Sequence, residues 1–91
     1  MGIDWSEEKN EILKTRYGFG FERVVVALSA GGLIQVSEHP NRARYGHQKQ
    51  FFLWIDDYVW VVPFVETSQG VFLKTMFPSR KATKRIRGTR I

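Results

Sequence analysis

The sequence contains no cysteine and only two histidines, His39 and His47. Without cysteine the chain can form neither a disulfide bond nor a zinc site with thiolate ligands, and two histidines do not favour a histidine-rich metal site. We therefore predict that the chain uses no metal and no cofactor. The lack of cysteine also fits a reducing compartment.

Long apolar runs are missing as well. The longest, 58–65, is far shorter than the roughly 20 residues of a membrane-spanning helix. The first eight residues include the acids Asp4, Glu7 and Glu8 and no basic residue, whereas a signal peptide begins with basic residues. These absences predict a cytoplasmic protein with no membrane partner.

The whole chain has a net charge of +5. Its acidic residues are scarce in the later parts of the sequence. None lies between Glu38 and Asp56, and none follows Glu66. The two segments hold the basic residues Arg42, Arg44 and Lys49, and then Lys74, Arg80, Lys81, Lys84, Arg85, Arg87 and Arg90. This distribution indicates a surface that faces a polyanion, although a solubilising basic tail has the same composition. So few carboxylates disfavour a two-metal nuclease.

What is present predicts a single α+β domain over residues 1–91. Capping residues and helical spacing predict helices over 6–17 and from Phe21 to Leu28, which end at Gly18 and before Gly31. Apolar runs predict strands over 3–5, 33–38, 51–55, 58–65 and 71–77, with a loop over 39–48 and a two-residue turn at 56–57. We expect the two N-terminal helices to pack on one side of a twisted, mainly antiparallel sheet of about four strands. A short basic C-terminal helix over 79–88, capped by Ser79, completes the predicted fold.

Three segments carry a resemblance to a known family: IDWSEEKN at 3–10, YGFGFE at 17–22 and PSRKATK at 78–84. Together they resemble the BrnT toxins of bacterial type II toxin–antitoxin pairs, whose fold is similar to that of the RelE and ParE toxins. The resemblance covers almost the whole chain. It implies a ribonuclease toxin that inhibits translation and is neutralised by an antitoxin with a ribbon-helix-helix-like DNA-binding part. Operator DNA would then be reached only through the antitoxin.

The family's functional groups are basic residues on the sheet face and around the last helix. Arg80 and Lys81 match them in this chain. The family's His-Thr-Glu-Arg stretch corresponds here to 64–67, where Glu66 is the matching residue.

RNA cleavage without a metal needs cations for the charge that builds on the phosphate, and groups that transfer protons. Our candidates for phosphate stabilisation are Arg80, Lys81, Lys49 and Lys74, and those for proton transfer are His47 and Glu66. Further contacts to RNA are expected from Arg42, Arg44, Lys84, Arg85 and Arg87, and from Tyr45 as an exposed ring that stacks on a base. We expect the cations of the 39–49 loop and of the last helix to converge on one exposed patch.

Two hypotheses remain open from the sequence. The first is an endoribonuclease toxin that acts on RNA, free or on the ribosome. The second is a basic nucleic-acid-binding or partner-binding module on the same scaffold, without catalysis. The family-like segment 80–83 favours the first, and the missing family histidine before Glu66 favours the second.

Overall fold

The computed structural model describes residues 2–88, which form a six-stranded sheet and four helices. The elements are β1 (Gly2–Trp5), α1 (Glu7–Tyr17), α2 (Phe21–Ser29), β2 (Leu33–Glu38), α3 (Arg42–Tyr45), β3 (Gln48–Ile55), β4 (Tyr58–Thr67), β5 (Gly70–Leu73), β6 (Phe77–Pro78) and α4 (Arg80–Gly88). The strand order is β1-β5-β4-β3-β2, and β6 also pairs with β4. Only the β1–β5 pair is parallel among the described strands. The predicted α+β fold is therefore confirmed, while Arg90 lies outside the described residues.

Helix α1 begins and ends where its capping residues predict. The Ser6 hydroxyl accepts a hydrogen bond from the Lys9 backbone N–H at 3.3 Å, which satisfies one of the free donors of the first turn. Gly18 adopts the left-handed conformation (φ 86°) and donates its N–H to the Lys14 carbonyl. A side chain would strain the backbone at this φ, so glycine suits the helix end.

A buried asparagine joins α1 to α2. The Asn10 side chain accepts a hydrogen bond from the Phe21 N–H at 2.7 Å and donates one to the Glu22 carboxylate at 2.9 Å. Any side chain at Gly20 would overlap the Asn10 carboxamide oxygen, so the close approach of the two segments requires glycine there. The YGFGFE segment thus has a packing role at the start of α2.

The main core lies between the sheet and the pair α1 and α2, whose side of the sheet we call the α1/α2 face. Its buried side chains include Leu13, Phe21, Val24, Leu53, Trp60, Val62 and Phe64. The Trp60 ring lies 5.0 Å from the rings of both Tyr17 and Phe19. The helix predicted from Phe21 is confirmed as α2. It forms in spite of a run of three valines, because the helical spacing buries Val24 and Ala27 on one face.

The turn between β3 and β4 consists of Asp56 and Asp57, as predicted. Both have positive φ (51° and 64°), which the two-residue type I′ hairpin requires. Arg23 of α2 forms an ion pair with Asp56 at 2.7 Å, and Arg87 of α4 bonds the Asp57 carbonyl and carboxylate. Arg87, a predicted RNA contact, therefore holds this turn.

The predicted strand over 71–77 is wrong, because the structure breaks it into β5 and β6. Two residues that form a hydrogen-bonded pair in an antiparallel sheet normally exchange two bonds, one from each N–H to the other's carbonyl. Here the Pro63 carbonyl accepts the Lys74 N–H at 2.8 Å. Pro63 has no N–H to return to Lys74, so the ladder ends there. Met76 then turns into the core, and the sheet has six strands instead of about four.

The predicted loop over 39–48 also needs correction, since it contains the one-turn helix α3 and its last residue begins β3. The Asn41 side chain caps α3 by accepting the Arg44 N–H at 3.2 Å. In the described part of the chain no helix is long and apolar enough to cross a bilayer.

Candidate nucleic-acid interface

The face of the sheet opposite α1 and α2 carries two adjoining cavities. The Gln50 cavity, about 530 Å³, is lined by Lys9, His39, Gln48, Gln50 and Lys74, among others. The Arg85 cavity, about 480 Å³, is lined by Phe52, Lys81 and Arg85, among others. Pro40 lines both cavities. We call the two together the Pro40 groove.

Four parts of the fold supply the polar lining of the Gln50 cavity, and the first of them is the first turn of α1, which contributes Lys9. Gln48 and Gln50 alternate on β3 and point away from the α1/α2 face. The break between β5 and β6 places Lys74 beside them. His39 comes from the segment between β2 and β3. The cavity therefore depends on Pro63, which causes the break, and on the alternation of β3.

The charges in this cavity are of one sign. Lys9 and Lys74 line it, and no carboxylate is among its lining residues. The Lys74 ammonium lies 5.5 Å from the ring centre of Phe72, and this cation–π contact holds the side chain on this face. Such a cavity favours an anionic ligand.

His39 is held in place by two contacts. Its Nδ1 accepts the backbone N–H of Asn41 at 3.1 Å, and its ring lies 4.5 Å from that of Tyr45. A neutral imidazole whose Nδ1 accepts a hydrogen bond carries its proton on Nε2. His39 can therefore donate a hydrogen bond to a ligand.

Tyr45 is not the exposed ring that the sequence predicts. It is half-buried, contacts His39 and has the Arg44 guanidinium 5.3 Å from its ring centre. The exposed ring of this cavity belongs to Phe77, which is 39% exposed. Arg42 and Arg44 lie exposed on α3.

Helix α4 supplies the cations of the Arg85 cavity. The Arg85 guanidinium lies 5.8 Å from the Phe52 ring centre. The Ser79 hydroxyl caps the helix by accepting the Ala82 N–H at 3.1 Å, as predicted. The buried Thr83 hydroxyl accepts the Val59 N–H at 2.9 Å, which fixes α4 against β4.

Of the remaining cations of α4, Lys81 lines the Arg85 cavity. Arg80 and Lys84 are exposed and line neither cavity. Pro40 of the loop and the last helix border the same groove, but the expected convergence of cations is wrong, because none of the loop cations Arg42, Arg44 and Lys49 lines it. The two cations of the family-like segment are divided, since Lys81 lines the groove and Arg80 does not.

The expected single patch is wrong for Lys49, and Glu66, the candidate for proton transfer, lies away from the groove as well. Lys49 lies between two residues that line the Gln50 cavity, so strand alternation sends it to the α1/α2 face. There its ammonium pairs with the Glu66 carboxylate at 2.9 Å. The hydrogen bond that the Lys49 ammonium donates to Glu66 raises the pKa of Lys49, so this lysine stays protonated and cannot accept a proton. His47 is exposed in the turn before β3 and lines neither cavity.

The structure adds residues that the sequence did not single out for function: Lys9, Gln48, Gln50 and Phe77. It also exchanges the roles of the histidines, because His39 and not His47 reaches the groove. Among residues 2–88, no three His, Asp or Glu side chains form a group that could hold a metal ion.

Comparison with models of known families, with curated proteins and with solved structures finds no match to this chain.

Proposed function

We propose that this chain is a ribonuclease toxin similar to the BrnT toxins, which binds single-stranded RNA along the Pro40 groove and cleaves it without a metal ion. The observation that carries the proposal is the Gln50 cavity. It brings two lysines and a hydrogen-bond-donating histidine together without any carboxylate. A polyanion with internal nucleophiles is the ligand that such a site fits.

The proposed chemistry requires few groups of the protein. The RNA 2′-hydroxyl oxygen forms a bond to the neighbouring phosphorus, and the bond from phosphorus to the 5′-oxygen breaks. Lys74 and Lys9 stabilise the charge on the phosphate oxygens, His39 Nε2–H donates a hydrogen bond to one of these oxygens, and the leaving 5′-oxygen takes its proton from water. The 2′-hydroxyl proton passes to water, and the product ends in a 2′,3′-cyclic phosphate.

Inhibition of translation in the cytoplasm, and a cognate antitoxin that links the toxin to operator DNA, belong to the same proposal through the resemblance to BrnT. The antitoxin would cover the Pro40 groove. Half-buried aromatic side chains on this face, Phe52 and Phe72, support a protein partner there, and acidic side chains of that partner would match Lys74, Lys81 and Arg85.

A matched pair of variants tests the proposal. Lys49→Ala and Lys74→Ala make the same change on opposite faces of the sheet. The purified chain, incubated with single-stranded RNA and a chelator, is expected to release fragments with cyclic phosphate ends. We expect Lys74→Ala to slow this cleavage by roughly ten- to a hundredfold, because a cation beside the phosphate is lost, and Lys49→Ala to leave it unchanged.

Equal loss in the two variants would contradict the placement of RNA in the groove. Cleavage that stops with the chelator would contradict the metal-independent mechanism. RNA whose 2′-hydroxyls are methylated must survive, because the nucleophile is then blocked.

The second candidate function is a nucleic-acid-binding module without catalysis. It is favoured by the Lys49–Glu66 ion pair, because this pair places the family-like carboxylate on the face opposite the groove. In this case the parent chain would bind RNA with strong salt dependence and release no fragments.

A further inference from the structure

The floor of the Gln50 cavity holds a polar side chain without a partner in the described part of the chain. Gln50 is only 6% exposed, yet its carboxamide forms no hydrogen bond with any residue in 2–88. Its polar atoms are not sealed off, so they open into the cavity that the residue lines. Nearly buried carboxamides are normally hydrogen-bonded. A carboxamide that opens into the cavity without a partner in residues 2–88 is available to a ligand there.

The walls of the cavity supply the other contacts that a nucleotide needs. Phe77 presents a ring that is 39% exposed, and exposed aromatic rings stack on unpaired bases. Lys9 and Lys74 lie in the same cavity for a phosphate. Its volume of about 530 Å³ is in the range of sites that enclose one small ligand.

We propose that the Gln50 cavity binds one unpaired adenine nucleotide of the RNA, with the Gln50 carboxamide paired to the edge of the base. The proposal rests on the proposed function for its RNA ligand, and it adds a base preference to the groove. Stacking on Phe77 would hold the base, while the lysines hold its phosphate.

Adenine is the base that best matches the carboxamide and the aromatic ring together. Cytosine and uracil also offer a donor beside an acceptor, but adenine presents the larger ring system for stacking on Phe77. A carboxamide offers one donor and one acceptor side by side, and adenine returns the complementary pair, with N7 as the acceptor and the N6 amino group as the donor. Guanine presents two adjacent donors on its pairing edge, for which a carboxylate is the natural partner. The lining residues include no carboxylate.

Binding to RNA that cannot be cleaved tests the base preference apart from catalysis. The probes are fluorescent 2′-O-methyl oligouridines with adenine, guanine, cytosine or uracil at one central position, and binding is followed by anisotropy. We expect the adenine probe to bind about tenfold more tightly than the others, as for one bidentate contact to a base.

Two variants of the same type separate base recognition from general effects. Gln50→Leu removes the carboxamide and should abolish the preference for adenine. Gln35→Leu makes the same change at an exposed position of β2 that does not line the cavity, and should keep the preference. Gln50→Leu should retain the thermal stability of the parent, because it removes no hydrogen bond within residues 2–88. A purely structural role of Gln50 would instead lower the melting temperature.

The outcomes distinguish this proposal from the function on which it rests. Equal binding of the four probes, or a preference for another base, overturns the adenine site while RNA binding stands. A preference for adenine without cleavage of unmodified RNA contradicts the ribonuclease but supports the site. If none of the probes binds, both proposals fall.

Discussion

Asn10 holds the joint between α1 and α2 through both ends of its carboxamide. It is fully buried, and it is the only hydrogen-bond partner of the Phe21 N–H that we find among the described side chains. In Asn10→Ala that N–H loses its acceptor and a small cavity forms. We expect the free energy of unfolding to fall by about 2–3 kcal/mol, measured by urea denaturation.

A variant of Gly20, which lies against the Asn10 carboxamide, tests whether this contact is the source of the stability. Gly20→Ala should destabilise the chain in the same direction, because its side chain would displace the Asn10 carboxamide. The double variant should lose less than the sum of the two single losses, since both act on one contact. Additive losses would show that Asn10 and Gly20 act independently.

Glu22 gives the same joint a dependence on pH. Its own backbone N–H, followed by Asn10 and Lys14, holds the pKa of the carboxyl below its ordinary value of 4.5, while desolvation opposes them. A carboxyl whose pKa is lower in the folded state stabilises the fold above its unfolded pKa. This contribution disappears as the pH falls through the folded pKa.

We therefore expect Glu22→Gln to be less stable than the parent at pH 7, with a difference that shrinks as the pH drops below about 4.5. Denaturant unfolding at a series of pH values measures this. A difference that stays constant down to low pH would rule out ionised Glu22 as its source.

The β3–β4 hairpin offers a prediction at the scale of an element. Asp57 adopts a positive φ, a backbone conformation that is higher in free energy for a residue with a side chain than for glycine. The sequence Asp-Gly is a preferred pair for this turn. Asp57→Gly should therefore raise the free energy of unfolding, by about 0.5 kcal/mol after the loss of an exposed ion pair with Arg87. The Arg87 bond to the carbonyl of residue 57 is retained.

Thermal or urea unfolding checks this change, and Asp56→Ala is the informative comparison. It removes the Arg23 ion pair without relieving the backbone, so it should be neutral or destabilising. A loss of stability in Asp57→Gly would mean that the Arg87–carboxylate contact outweighs the backbone strain.

The ends of α1 and the β3–β4 turn were predictable from the sequence, because residues within each segment determine them. Ser6 and Gly18 mark the ends of α1, and the two aspartates mark the hairpin, because capping and turn preferences depend on neighbouring residues. The break between β5 and β6 was not predictable in this way. Its cause, Pro63, lies on a different strand and acts through a missing hydrogen bond to Lys74.

The candidate site was predictable only in part, for a similar reason. Lys74 was singled out as a lysine in an apolar run, and it lines the cavity. Lys49 was expected in the same patch as a cation of the 39–49 loop. Since β3 begins at Gln48, the alternation of the strand places Lys49 on the other face. Gln50 has no local feature that distinguishes it from any glutamine on a strand.

At the scale of the whole molecule, the distribution of charge predicts how RNA binding responds to salt. Each phosphate neutralised on a single strand contributes about −0.7 to the slope of log K against log salt. We expect Lys74→Ala to make this slope shallower by about 0.7 units and Lys49→Ala to leave it unchanged, because Lys49 pairs with Glu66 on the opposite face.

Titrations of an uncleavable RNA from about 50 to about 200 mM salt measure the slopes. Arg16→Ala, which removes an exposed cation from α1, serves as a control for net charge alone. If the three variants change the slope equally, the chain attracts RNA through its overall charge and not through the groove.

The most direct test of the account is to locate RNA on the protein. A single-stranded RNA that contains 4-thiouridine is bound to the chain, irradiated, and the crosslinked peptides are identified by mass spectrometry. We expect crosslinks in the Pro40 groove, at Phe77, His39 or Tyr45. Crosslinks confined to residues of α1 and α2 other than Lys9 would contradict this placement of RNA.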